Sequence, residues 1–346
     1  MSPRLSSFLQ VAFSIGIGVL LIWLIYRGLS EEDKATVAMH FQTADYRWIL
    51  FAMVFGMLSH LSRAWRWRYT LEPLGLKPDF VNSFGTVMIG YFANLALPRL
   101  GEATRCVVMA RYEKMPFDKL FGTVIAERVA DLVILLTITL TAFLLQFSQM
   151  DVLLNQDLQA AGLSERPVTL AQLFAEKAPG LGWLAVVGLL GLAGLWVFVR
   201  LLRRSSHPFA LKVRKLLAGL GDGIKSVLTM KSKGLFIAHT LFIWLMYMAM
   251  FYVCFFALEG TKDVPVQGVL IAFVMGGFSI VLVQGGLGAY PAIMMLTLGL
   301  YGVNANEGLA FGWITWAAQT GLVIVLGLLS FLLLPLYNSR FRKIQP

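Results

Sequence analysis

The chain has 346 residues, 58% of them hydrophobic and 14% charged, with a mean hydropathy of +0.73. Soluble domains run at about 45–50% apolar and about 25% charged, so this chain lacks the polar residues to coat a water-facing surface, and its solvent is lipid. The surplus of 29 Lys and Arg over 19 Asp and Glu is an orientation signal that needs no nucleic acid, and no cofactor is expected.

A membrane-spanning helix takes ~20 mostly apolar residues to cross ~30 Å of hydrocarbon. Residues 8–26 form the first such stretch. They follow Arg4 as a secretory signal would, but the apolar run is long and no small-x-small cleavage site follows, so a retained span is predicted. Residues 48–64 form the second. At its end Arg63, Arg66 and Arg68 alternate with Trp65, Trp67 and Tyr69, a pattern that aromatic belts and snorkelling arginines explain. Arg63 is the deepest, one turn beyond His60, and is the one nominated for a site.

Residues 80–97 are apolar but broken. The run Gly90-Tyr-Phe-Ala-Asn94-Leu-Ala-Leu-Pro98-Arg99-Leu-Gly101-Glu102-Ala-Thr-Arg105 stops a helix at Pro98 and Gly101, with a new one expected around Glu102. Such breaks occur in membranes only where protein or a cavity covers the freed backbone. A new helix N-terminus attracts anions, and Arg99 and Arg105 add forks suited to phosphate oxygens. The two arginines read either as an inner-leaflet anchor or, with Asn94 and Glu102, as a binding site.

Residues 121–146 form the next span and carry Glu127, Arg128 and Asp131. Their i,i+3 and i,i+4 spacing puts all three on one broad face. Charges within a span cost at least ~2.5–3.5 kcal/mol each, so this face should turn inward, towards Arg99 or Arg105. A cluster at headgroup level is the alternative. Residues 151–177 read as a short acidic loop and 180–199 as a fourth span. Residues 207–233 read as an amphipathic helix, lying on the inner leaflet or packed on other loops. A fifth span follows at 235–258. Residues 269–283 break at Gln284-Gly285-Gly286-Leu-Gly288, near Tyr290, and 309–337 form the sixth span.

The predicted fold is therefore all-α: a polytopic integral membrane protein with six full spans and two broken or re-entrant hairpins, forming a single transmembrane domain over 1–346. Under this topology one side collects 22 basic and 6 acidic residues, and the other 6 basic and 11 acidic. Basic residues accumulate on cytoplasmic loops, so both termini are expected in the cytoplasm, the membrane being the bacterial cytoplasmic membrane.

Shifting the chain by 187 residues lays Met88, Gly90, Tyr91, Leu95, Leu100 and Gly101 on Met275, Gly277, Phe278, Leu282, Leu287 and Gly288. The flanking spans coincide as well. Halves at about 1–150 and 180–340, each with three spans and a hairpin, would form an inverted repeat. That architecture sets substrate sites near the midplane and argues for transport. In the second hairpin Gly285-Gly286 replace Pro98-Arg99, and Gln284 and Tyr290 are the polar groups. Anion capture thus falls to the first half. Cys106 and Cys254 read as core residues. No HExxH, G-x-S-x-G or Walker spacing occurs.

Arg63–Trp67, the run Asn94 to Arg105, Glu127-Arg128-Val-Ala-Asp131 and Gln284-Gly285-Gly286-Leu-Gly288 resemble the flippase-like transmembrane region of lysylphosphatidylglycerol synthases, across essentially the whole chain. The resemblance implies translocation of an anionic or modified lipid between leaflets: a phospholipid, an aminoacyl-phospholipid or a polyprenyl-phosphate type. Arg63, Asn94, Arg99, Glu102, Arg105, Glu127, Arg128, Asp131, Gln284 and Tyr290 would line the route, with Pro98, Gly101, Gly285, Gly286 and Gly288 at the breaks. The aminoacyl-transfer domain of the fused enzymes is not expected. The family's glutamate after the glycine string is replaced, Tyr290-Pro291 following instead. Membrane lipids are the expected partners, with a second copy or a lipid-modifying enzyme as further candidates. The alternatives to a translocase are a membrane-embedded lipid-modifying enzyme or a non-catalytic partner of one.

Overall fold

The structure, a computed structural model, describes residues 3–96, 100–160 and 230–340, with side chains at 16–95, 100–146 and 230–340. Among these residues the chain is helical, with α1 at Pro3–Gly28, α2 at Glu31–Thr43, α3 at Tyr46–Leu71, α4 at Phe80–Ala96, α5 at Leu100–Glu113 and α6 at Phe117–Ala160. Beyond residue 230 come α7 at Lys233–Cys254, α8 at Val266–Leu282, α9 at Ala289–Gly299 and α10 at Ala305–Arg340. Among the described residues four stretches are long and apolar enough to cross a membrane: Tyr46–Leu74, Phe117–Gln146, Lys233–Ala257 and Ala305–Arg340. The expected span at 180–199, and the expected amphipathic helix at 207–233 up to residue 229, lie outside the described residues. Cys106 and Cys254 are buried and unbridged.

Local sequence sets the helix ends. At the start of α2 the Ser30 hydroxyl accepts from the Asp33 amide at 3.0 Å and the Asp33 carboxylate accepts from the Ser30 amide at 3.1 Å, a reciprocal cap. Glu72-Pro73 and the left-handed Gly75, φ 73°, close α3. Two boundaries differ from expectation. α3 runs to Leu71 rather than 64, so Arg63 and Arg66 sit inside the helix rather than on its rim. α6 continues to Ala160, into the segment read as a loop. Between Gly122 and Gly162 the sequence has neither glycine nor proline, and acidic residues alone do not stop a helix.

Packing defines two hairpins. In the first, α4 and α5 touch near the break, where Gly90 and Gly101 bring the backbones together. At the base Glu113 accepts from the Asp79 amide at 3.1 Å and the Asn82 amide at 2.6 Å. In the second, Gly268 faces Tyr301 at the base, and Gly276 faces Tyr290 and Met294 nearer the break. In both, the second arm returns to the end from which the first started.

The hairpins approach α10 from opposite ends. Asn82 and Asn338 exchange amide hydrogen bonds of 3.1 and 2.7 Å beside the C-terminal end. Gly308 and Gly312 seat Met295 and Pro291 near the N-terminal end. The tips meet between them: the Gln284 side-chain amide donates to the Asn94 carbonyl, and the Trp316 indole donates to the Gly285 carbonyl at 2.7 Å. α3 and α7 pack antiparallel, with the Asp45 amide bonded to the Ala257 carbonyl at one end and Ser232 to Glu72 at the other.

Among the described residues two apolar clusters are buried. One gathers Ala52, Phe251, Met294 and Phe311; the other gathers Trp67, Met88, Met109 and Leu326. Along α3 the band Ser59, His60, Ser62, Arg63 and Arg66 lies between them and is buried. Large apolar side chains such as Leu136, Leu140, Phe143, Phe331 and Leu332 are exposed, as a lipid-facing surface requires.

A side chain at Gly312 would meet the Pro291 backbone and Met294, whereas Gly321 on the same helix faces open space. Gly312→Leu should therefore cost about 1–3 kcal/mol by overpacking, lowering the thermal midpoint of the detergent-purified protein. Gly321→Leu should leave that midpoint within a degree or two of wild type, about the scatter expected of a surface change.

Candidate functional site

Arg63 and Arg66 stand three residues apart on α3 and share a face, as do Glu127 and Asp131 on α6. The two faces meet inside the bundle. Arg63 Nη1 donates to Asp131 Oδ2 at 2.6 Å. Arg66 grips the same carboxylate twice, Nη1 to Oδ1 at 2.8 Å and Nη2 to Oδ2 at 3.3 Å, and also donates to Thr240 Oγ1 on α7 at 3.0 Å. From α5, Arg105 Nη1 donates to Glu127 Oε2 at 2.9 Å. The Arg105 guanidinium lies 3.6 Å over the Trp67 ring, a close cation–π contact, and the Trp67 indole is held by Thr123 Oγ1 at 2.9 Å.

These charges are sealed from solvent: Arg66 and Glu127 are 0% exposed, Arg63 2%, Arg105 3% and Asp131 7%. Asp131 lies about halfway along the apolar stretch Phe117–Gln146. Three buried guanidiniums thus face two buried carboxylates. A second pair forms the rim, where Arg128 Nε lies 3.5 Å from Glu102 Oε1 with both side chains partly exposed. Arg128 Nη1 is also 3.7 Å from Asp131.

Hydrogen bonding is incomplete where charge is most buried. Arg105 Nε and Nη2, Arg63 Nε, Arg66 Nε and Arg128 Nε have no hydrogen-bond partner. Glu127 Oε1 is 3.7 Å from Arg66 Nε, within reach of charge attraction but beyond a hydrogen bond. A buried donor left unpaired costs about 1–3 kcal/mol, more when charged. Arg105 and Arg128, together with Tyr91 and Asn94, line a narrow cleft floored by Gly90 and Gly101. Its volume is ≈ 10 Å³, about the space of one water molecule. The cleft is narrow, with Glu102 at its lip.

The structure brings Arg63, Arg105, Glu127 and Asp131 into one network and sets Glu102 and Arg128 at its edge. Asn94 spans the first break, its Oδ1 accepting from the Gly101 amide at 2.7 Å, and Gln284 reaches it from the second hairpin. α5 starts at Leu100, so the Gly101 amide serves this local bond. Pro98 and Arg99 lie outside the described residues. Tyr290 does not join the site: it is buried in the apolar cluster with Met294 and Leu298, because α9 turns that face towards α8. Gly101 is a packing residue of α5, where a Cβ would strike the Gly90 carbonyl and Asn94. Gly285, Gly286 and Gly288 do make the second break, with φ of 63°, 72° and 70°, a region glycine enters at no steric cost.

Arg66 is the residue the sequence reading assigned to the belt and the structure puts at the centre. Its i+3 relation to Arg63 carried the signal; a helix taken to end at 64 hid it. Trp67, Thr240 and Tyr247, whose ring lies 5.9 Å from the Arg63 guanidinium, carried no such signal. Among the described residues no group of three His, Cys, Asp or Glu side chains could hold a metal ion.

The sequence matches the profile of the lysylphosphatidylglycerol synthase TM region over residues 9–327. The chain belongs to this family. The chain is also similar to a UPF0104 membrane protein of Methanocaldococcus jannaschii, 29% identical over 124 residues, and to another of Pyrococcus horikoshii, 31% identical over 134 residues. Those matches cover 35% and 38% of each chain in the pair, so the chain aligns with little more than a third of either relative's length. A UPF0104 membrane protein of Methanothermobacter thermautotrophicus is 23% identical over 314 residues, 86% of each chain. No solved structure matches the chain. In this family member the motif residues and the buried network are largely the same residues.

Removing the shared carboxylate tests the network. Asp131→Asn preserves shape but strands Arg63 without an anion and leaves Arg66 only its 3.7 Å contact with Glu127, and should cost about 3–5 kcal/mol, read as a fall in thermal midpoint. Arg63→Gln added to Asp131→Asn should recover part of that loss, because the double change removes one charge of each sign.

Proposed function

We propose that this protein moves phosphate-bearing lipids between the leaflets of the cytoplasmic membrane without ATP, the headgroup passing along the cleft between the first hairpin and α6. The observation that carries the reading is Arg105: a guanidinium 3% exposed, with Nε and Nη2 unpartnered, lining a cleft beside a broken helix. A headgroup crosses hydrocarbon slowly because its polar atoms must lose water. Fixed guanidinium donors replace that water, and Arg105 with Arg128 would take the phosphate oxygens. Glu102, now ion-paired to Arg128, would be displaced as the cleft opens. Asn94 and Gln284 tie the two tips, so movement of one hairpin would reach the other.

The topology we propose has six spans, with 180–199 as the fourth, and two hairpins in an inverted repeat. The 187-residue shift carries α3 onto 233–258, and α7 begins at Lys233. Helices related by the shift that run antiparallel are what inversion requires. Hairpins that approach α10 from opposite ends favour it too, and such repeats hold substrate at the midplane. Both termini are assigned to the cytoplasm. Taking the three buried arginines out of the charge count still leaves 19 basic residues against 6 acidic on that side. We take transport over catalysis because each buried carboxylate is engaged in ion pairs with guanidiniums.

In proteoliposomes holding only the full chain, a labelled anionic phospholipid should move between leaflets. Hydrogen bonds to charged groups contribute about 1.5–3 kcal/mol, so Arg105→Gln should slow movement about tenfold or more. Lys262→Gln, at an exposed ion pair, should match wild type. An Arg105 variant as fast as wild type would remove the site, and liposomes in which no lipid moves would overturn translocation.

A further inference from the structure

Arg105 is restrained at its stem, at one nitrogen and at one face. The stem passes over Gly90, where a side chain would meet the Arg105 Cβ. Nη1 is spent on Glu127 Oε2 at 2.9 Å. One face of the guanidinium lies against the Trp67 ring, 3.6 Å from its centroid. Among the described residues Nε and Nη2 have no hydrogen-bond partner. These two atoms form one edge of the guanidinium, a fork that suits a pair of oxygens. Trp67 is itself fully buried and pinned. Its indole donates to Thr123 Oγ1 at 2.9 Å, and that hydroxyl gives its own proton to the Leu120 carbonyl at 2.7 Å. The Thr123 oxygen is thereby fixed as an acceptor, and the plane of the indole with it.

We propose that Trp67 is a positioning residue for Arg105: the indole, anchored by Thr123, holds the guanidinium so that its Nε–Nη2 edge is presented to the cleft. The inference rests on the lipid-translocation reading and adds two residues to its site. An aromatic ring suits this task because of what each kind of partner consumes. The five N–H bonds of a guanidinium lie in its plane, so a second carboxylate would hold it by occupying the free edge. A ring stacked on the face attracts the charge through its π-system and takes no donor. Trp67 comes from α3 and Thr123 from α6, so the clamp fixes the edge relative to both helices, while Arg105 itself rides on α5. Without the ring, the Glu127 bond is a single tether about which the plane can turn.

The test is a mutant cycle read by calorimetry on the detergent-purified full chain, with dihexanoyl phosphatidic acid as the probe, a lipid whose headgroup is phosphate alone. Trp67→Leu should weaken binding about tenfold, the scale of a desolvated cation–π contact. Removing a buried indole also opens a cavity, so Thr123→Val supplies a gentler arm: the ring stays, its anchor goes, and binding should weaken about threefold. Thr123→Ser keeps the hydroxyl and should restore the affinity. The deciding readout repeats the changes in Arg105→Gln protein. There neither Trp67→Leu nor Thr123→Val should weaken binding further, because residues that act as one unit are not additive. Losses that recur at full size beside Arg105→Gln make Trp67 a packing residue and overturn the inference. So does wild-type affinity in Trp67→Leu or Thr123→Val, or a wild-type protein that does not bind the probe. Lipid movement in proteoliposomes is read separately. A non-additive cycle without lipid movement keeps the positioning and removes translocation. Movement and affinity that Trp67→Leu leaves unchanged remove the positioning and keep translocation.

Discussion

A guanidinium inside a lipid-embedded bundle cannot escape its charge. Its proton stays on at any accessible pH, so the fold must supply anions where it supplies arginines. Arg63, Arg66 and Arg105 impose that constraint here, and Asp131 and Glu127 answer it from a single helix. The consequence is architectural. Asp131 holds α3 to α6, Glu127 holds α5 to α6, and the Arg66 bond to Thr240 brings in α7. The polar band also divides the apolar interior into two clusters. One carboxylate, Asp131, serves two arginines of α3, while Glu127 answers Arg105 on the helix that follows the first break.

The two hairpins share a shape but differ in chemistry. The first is stiffened along its length, by Glu113 at the base and by the Asn94 bond to the Gly101 amide at the tip. It delivers Arg105 to the network. The second contains no charge near its break; three left-handed glycines make the turn, and its tip packs on α1, where Gly288 lies against Gly18. Two hairpins thus reach the middle of the bundle, and among the described residues only the first brings charged side chains there. For the proposed transport this asymmetry makes the first hairpin the binding element and the second a neutral wall that shares its movement through Gln284.

Much of this organisation was legible in the chain. Long apolar runs announced α3, α6, α7 and α10, because a span needs length and composition and little else. Pro98 and the glycines near 285 announced the breaks, since each removes a hydrogen-bond donor or a steric restriction. Glu127 and Asp131 announced an inward face through the cost of burying charge. The misses have causes of the same kind. Arg66 was read as a belt residue because tryptophans at a helix rim and tryptophans in a core look alike in one dimension. Tyr290 follows the glycine string in sequence, yet α9 turns it into the apolar cluster. Gly101 was read as a breaker, and the tight approach of Gly90 gives it a packing role. The acidic run after 150 continues α6 because nothing in it interrupts a helix.

By itself the sequence determined that this protein lives in lipid, that it is helical, where two of its helices break, and that charged residues lie along its spans. All of these depend on local composition and on spacing within one helix. Only the tertiary structure decided which arginine meets which carboxylate, that the hairpin tips touch, and that Arg63 and Arg66 share Asp131. Those outcomes depend on residues as far apart as Arg66 and Thr240, or Asn94 and Gln284. Such distances are set by how whole helices pack, and no periodicity within a single segment encodes that.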